Sequence, residues 1–186
     1  MKKIYVVTLL LILGFGYSVY YIDSRYQVEN THESIESSLK EWLNRSQQRQ
    51  LNPTPIKNPT LIEKFKLDDT STHIGLFQLE NDNIGYVRLI EGLNGKLKMA
   101  GAGHGTNEIK YREIETNKGL YAILIGKNPE KKIDNILVNI MFENYNFNVD
   151  VSTEELFVRY HKFTERLDTP FPAELTLFDK NNEVIE

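Results

Sequence analysis

The chain has 186 residues, enough for one well-buried domain with a short appendage but not for two independent cores. Hydrophobic residues at 40% and charged residues at 26% exclude a wholly disordered or collagen-like chain, and the absence of cysteine excludes disulfides, thiolate metal sites and a cysteine nucleophile. The net charge is −4, and setting Lys2 and Lys3 aside leaves 20 basic against 26 acidic residues, a balance that disfavours nucleic acid or an anionic lipid surface as partner.

From Ile4 to Ile22 (IYVVTLLLILGFGYSVYYI) no residue is charged. At ~1.5 Å per residue this segment reaches about 28 Å, close to the hydrocarbon thickness of a bilayer. Tyr5 at one end and Tyr17, Tyr20 and Tyr21 at the other suit the two membrane interfaces. A buried helix of a soluble protein is seldom apolar on every side. A cleaved secretory signal fits Lys2, Lys3 and the apolar run, but bulky Tyr17, Val19, Tyr20 and Tyr21 replace its small-residue cleavage site. An uncleaved transmembrane signal anchor is therefore expected over 4–22, with the lipid bilayer as its partner. The positive-inside rule leaves residues 1–3 in the cytoplasm and exports residues 23–186.

Asn30 with Glu33 three residues on reads as the start of a second helix, and Ile35, Leu39, Trp42 and Leu43 form one apolar stripe along it to about Gln48. The stripe needs a cover: the chain's own domain, the membrane interface or a second copy, of which the first is the simplest. Asn52 to Pro59 holds three of the six prolines and reads as a semi-rigid spacer. Residues 23–59 are thus expected as a helical stalk and linker, and residues 60–186 as the exported domain.

Beyond the spacer the period becomes two. Ile136, Val138, Ile140 and Phe142 form one alternating set, and Tyr145, Phe147, Val149 and Val151 form another; Leu120 to Ile125 is a continuous apolar run suited to a strand buried on both faces. Asn94-Gly95 signals a hairpin with both central residues at positive φ. Further breaks are expected at Asn81 to Asn83, Gly101 to Gly105, Asn128-Pro129 and Asp179 to Asn182. Ser152 to Phe163 reads as a strand, although Ser152 or Thr153 also suits a helical cap. Nine or ten short strands between Leu61 and Ile185 predict a mainly β fold, an antiparallel sandwich or barrel-like domain behind two helices.

Site signals are sparse. Gly101-Ala102-Gly103-His104-Gly105-Thr106 lets a ligand approach the backbone, so Gly103, His104, Gly105 and Thr106 are the candidate ligand contacts. The spacing is not the dinucleotide fingerprint, and a glycine-rich bend or bulge between two strands is the simpler account of it. His32, His73, His104 and His161 are scattered, without metal or triad spacing. Asp179 to Glu183 resembles a calcium loop but has Val184 where glycine is required, and a hairpin turn accounts for it. GxSxG, SxxK, HExxH and P-loop patterns are absent, so no catalytic, cofactor-binding or metal-binding residue is predicted.

These features point to a membrane-anchored, extracytoplasmic binding or accessory module for a protein or cell-envelope component. Two alternatives differ in class. One is an envelope hydrolase using Glu113 or Glu115 with a second acid. The other is a regulatory subunit whose membrane helix pairs through Gly14 and Gly16.

Overall fold

The computed structural model describes residues 2–47, 56, 58–105, 109–164 and 166–185, with side chains from Leu10 onward, Gln47 excepted. Pro53, Pro55 and Thr106 therefore lie outside the described residues.

Helix α1 runs from Lys2–Arg25. Among the described residues no helix is long and apolar enough to cross a membrane. The described side chains of α1 cover only Leu10 to Arg25, short of the roughly 20 residues a bilayer core takes. The span expected over 4–22 is not supported by them, and it enters below as a proposal.

Helix α2 occupies His32–Gln47. Its cap is Thr31, not the expected Asn30: the Thr31 hydroxyl accepts from the Ser34 amide at 3.3 Å, and the Ser34 hydroxyl accepts from the Glu29 amide at 3.0 Å. A hydroxyl at each position satisfies amides that the helix leaves free, which Asn30 and Glu33 are one residue out of place to do.

Eleven strands follow among the described residues: β1 Thr60–Lys66, β2 Thr72–Gln78, β3 Ile84–Glu91, β4 Leu97–Gly105, β5 Lys110–Thr116, β6 Gly119–Lys127, β7 Asn135–Ile140, β8 Asn146–Asp150, β9 Leu156–Lys162, β10 Ala173–Phe178 and β11 Val184–Ile185. They form three antiparallel sheets, ordered β1-β2-β3-β4, β5-β6-β9 and β11-β10-β7-β8. The fold is thus mainly β and sandwich-like, as the period-two pattern predicts.

Side-chain parity stacks the sheets into layers. Ile35, Leu39 and Leu43 of α2 pack on Leu61, Phe77, Val87, Leu89 and Leu97 of the first sheet. The opposite face of that sheet, with Ile74, Leu76 and Ile84, meets Ile114, Tyr121, Ile123 and Val158 of the second. The second sheet's other face, with Ala122, Leu124 and Phe157, meets Ile136, Val138, Phe147 and Val149 of the third. Consecutive β6 residues therefore enter two different cores, which is why Leu120 to Ile125 reads as a continuous apolar run.

The stripe on α2 is core: the chain's own first sheet covers it, the simplest of the three covers expected. Fully burying Ile35, Leu39 and Leu43 contributes roughly 5–9 kcal/mol as an upper estimate. The end of the spacer is fastened too. The Asn44 side chain accepts from the Ile56 amide at 2.8 Å and donates to the Ile56 carbonyl at 2.9 Å, while Glu36 accepts from the Leu61 amide at 2.8 Å. Trp42 stays half-buried at the margin.

Three local expectations need correction. The β3–β4 hairpin forms, but only Gly95 takes positive φ, at 74°. The Gly95 amide donates to the Gly92 carbonyl and the Gly92 amide to the Lys96 carbonyl, so the loop is Leu93-Asn94-Gly95 rather than a two-residue turn. Phe142 leaves its alternating set and lies exposed in the turn after β7. Gly101 to Gly105 is strand, not a break: the register passes from Leu89 opposite Met99 to Arg88 opposite Gly101, which leaves Ala100 as the bulge. The turns at Asn81 to Asn83 and Asp179 to Asn182 form, with Asp82 and Asn182 at positive φ.

Candidate functional site

β4 closes the first sheet at one edge, and beyond the bridge between Val28 and Leu97 no described strand pairs with its outer side. The register places Gly105 opposite Ile84 and Gly103 opposite Tyr86. Ile84 and Tyr86 pack into the core between the first and second sheets, so Gly101, Gly103 and Gly105 share the face turned toward β5. On β5 the same alternation buries Ile114 against the first sheet and puts Lys110 and Arg112 on that side, nearer the strand's start.

Between them lies a cleft of about 240 Å³, bordered by Tyr86, Gly103, His104, Lys110, Arg112 and Ile125 among others. Its glycine wall carries no side chain. A Cβ on Gly105 would collide with the Lys110 ammonium, which shows how closely that charge lies over the strand backbone. Among the described residues the cleft has two side-chain cations, Lys110 and Arg112, on its rim and no carboxylate, and neither is in an ion pair; the alternation that turns Gly103 and Gly105 toward β5 turns the His104 side chain to the sheet's other face. Locally this reverses the acidic balance of the chain.

His104 has a buried Nδ1 with no hydrogen-bond partner among the described residues. Its pKa lies below the ordinary histidine value, first because burial disfavours the charged form and second because of Lys110. Of the expected contacts, Gly103 and His104 border this cleft, Gly105 lies beneath the Lys110 ammonium beside it, and Thr106 lies outside the described residues. Lys110, Arg112 and Tyr86 were not singled out from sequence. The signal was there, in the alternation Lys110-Arg112-Ile114, but it registers only once residues 110–116 are read as a strand.

Of the other histidines, His32 is exposed at the start of α2, and His73 and His161 are packed elsewhere. His73 Nε2 lies 3.2 Å from Glu91, whose carboxylate also accepts from Lys66 at 2.7 Å. These two bonds, Lys66 first, hold Glu91 below the usual carboxylate range. His161 stacks on Phe147 with ring centres 4.0 Å apart and meets the Tyr145 hydroxyl at 2.9 Å. Burial lowers its pKa. Both are packed, partnered residues.

A second polar cluster joins the first two sheets. The Asp68 carboxylate accepts from the Tyr121 and Tyr160 hydroxyls, each at 2.9 Å, and Phe65 stacks on Tyr160 at 5.5 Å. Burial and then Asp68 push the Tyr121 phenol up to about 12. Both phenols are committed to one carboxylate, so the cluster acts as a clasp at the layer edge.

Glu113 and Glu115 are exposed on β5, on the side away from the cleft, and among the described residues no group of histidines and carboxylates is placed to hold a metal ion. A larger recess of about 580 Å³ lies among the loops beside β11, but its charges are mixed, with Glu130 paired to Lys132 at 3.0 Å.

The class that fold and site define is a layered antiparallel β protein, capped by a helix on one face, with a basic cleft at a sheet edge. No known protein family matches the chain, and neither a curated protein nor a solved structure is significantly similar to it.

Proposed function

We propose that this chain is a membrane-anchored, extracytoplasmic binding module. Residues 4–22 cross the bilayer with the N-terminus in the cytoplasm, and the cleft between β4 and β5 takes a negatively charged group of a protein or cell-envelope component. The observation that carries the binding reading is the pairing of Lys110 and Arg112 with a strand face made of glycine. Two cations across from bare backbone favour an anion with little steric selection, and an edge strand offers free amides besides. Among the described residues no carboxylate borders the cleft, and binding without turnover fits the groups present there.

The anchor reading rests on the uncharged run Ile4 to Ile22, on a helix that continues to Arg25, and on exposure of Leu10, Leu11, Ile12, Leu13, Phe15 and Val19 around all sides of that helix. An apolar surface of that extent in water marks a membrane or protein contact.

Amide spectra recorded while inorganic phosphate or acetate is added test the cleft. Shifts should concentrate at Gly101 to Gly105 and Lys110 to Arg112 and vanish in K110S/R112S. Shifts scattered over the basic surface, or unchanged in the double variant, refute the binding reading.

A further inference from the structure

The β3–β4 hairpin ends on Leu93, which is 94% exposed, the most exposed large apolar residue among those described. Turn tips in water are usually polar, because nothing there covers an apolar side chain. The surroundings of this tip are specific. The Asn94 side chain donates to the Tyr26 carbonyl at 3.2 Å and to the Asp23 carboxylate at 3.4 Å. The Tyr26 ring lies so close over Gly92 that a Cβ there would approach it to 2.6 Å. Two residues on, the amides and carbonyls of Val28 and Leu97 pair at 3.0 and 2.7 Å. The hairpin is therefore fastened to the last turn of α1, with no free linker between helix and sheet.

Leu93 and Asn94 share a recess of about 410 Å³ with Gly16, Val19, Tyr20 and Ile22 of α1. The tip thus borders a recess that runs along the last two turns of the proposed span and ends at Asp23. Arg25 lies over the Tyr21 ring at 4.8 Å and Lys96 pairs with Glu29 at 3.0 Å, so charged groups sit on the domain side of this recess.

We propose that Leu93 is a membrane-inserting finger: the hairpin tip enters the outer acyl–headgroup boundary beside α1 and fixes the domain's orientation on the bilayer. This rests on the anchor reading of residues 4–22. Lipid is the occupant that the geometry selects, because the recess is continuous with the exposed apolar surface of α1 and because acyl chains fill a shallow, open apolar step without needing shape complementarity. The orientation has a consequence for the cleft. The β3–β4 tip and the cleft lie toward opposite ends of β4, so insertion points the basic cleft away from the membrane.

The chain has no cysteine, so Leu93→Cys in the full chain carries a single environment-sensitive fluorophore. Glu80→Cys, in the turn at the other end of β3, is the reference, roughly 25 Å away along the strand. Both are reconstituted into zwitterionic phosphatidylcholine vesicles and floated on a density gradient. The expected result is flotation of both, with a blue-shifted emission at position 93 that nitroxide-labelled acyl chains quench several-fold, and water-like, unquenched emission at position 80. Flotation with water-like emission at position 93 overturns the finger while leaving the anchor intact. A blue shift that lipid nitroxides do not quench also overturns it, and places Leu93 against α1 or a second copy. Failure to float removes the anchor reading and the finger with it.

Discussion

Replacing Asn128 with alanine removes three hydrogen bonds from a residue that is 0% exposed. The Asn128 amide group donates to the Ile133 carbonyl at 2.7 Å and to the Val151 carbonyl at 2.9 Å, and its oxygen accepts from the Ile133 amide at 2.8 Å. The residue thereby ties the end of β6, in the second sheet, to the start of β7 and the end of β8, which pair with each other in the third. Alanine leaves two acceptors and one donor buried without partners, at about 1–3 kcal/mol each before water relieves part of it, so the expected loss is about 3–5 kcal/mol. For a domain of this size that lowers the melting temperature by roughly 10–15 °C. Asn128→Asp sharpens the test, because the introduced carboxylate would face two carbonyl oxygens. Its protonated form alone can donate, so its folded pKa rises above the unfolded value of about 3.9. The folded state then holds a proton that the unfolded state has released, and stability falls as pH rises through that window. Thermal unfolding of the full chain in detergent, followed by near-ultraviolet circular dichroism at pH 4 and pH 7, should show a deficit relative to the parent that is larger at pH 7. An alanine effect below about 0.5 kcal/mol, typical of surface sites, would refute the reasoning, as would an aspartate deficit independent of pH.

Removing residues 1–59 strips α2 from the first sheet and exposes Leu61, Phe77, Val87, Leu89 and Leu97, so a chain from Thr60 is expected to aggregate where one from Asp23 is monomeric on size-exclusion chromatography. Gly85→Ala drives a methyl into the Gly103 carbonyl and the Phe77 ring and should cost about 1–3 kcal/mol in urea unfolding. Gly105→Ala meets only the movable end of Lys110, so it should leave stability nearly unchanged and weaken anion-induced shifts in the cleft. His104 should titrate by NMR below the ordinary histidine midpoint, since burial and Lys110 both favour the neutral ring. Its contribution to stability is then lost as pH falls, because the unfolded state takes up the proton first. A midpoint at or above that of an unstructured peptide contradicts its placement.

The sequence by itself determined which residues alternate, where the chain turns and which stripe on α2 is apolar, because these follow from local period and from turn chemistry. Phe147, Val149 and Val151 are buried where their alternation places them, and the strand over Leu120 to Ile125 is buried on both faces. Sequence also isolated Gly103, His104 and Gly105, although it read their segment as a break. A glycine run carries no side-chain pattern from which strand and loop are distinguished, and the β3 ladder made the difference. What covers a face is a different kind of fact. The first sheet could bury its two faces only against something distant in the chain, and tertiary structure decided that α2 takes one and the second sheet the other. The same holds for the cleft and the hairpin tip. Lys110 comes to lie over Gly105, and Leu93 at a recess beside α1, through the arrangement of elements far apart in sequence, which no local period records.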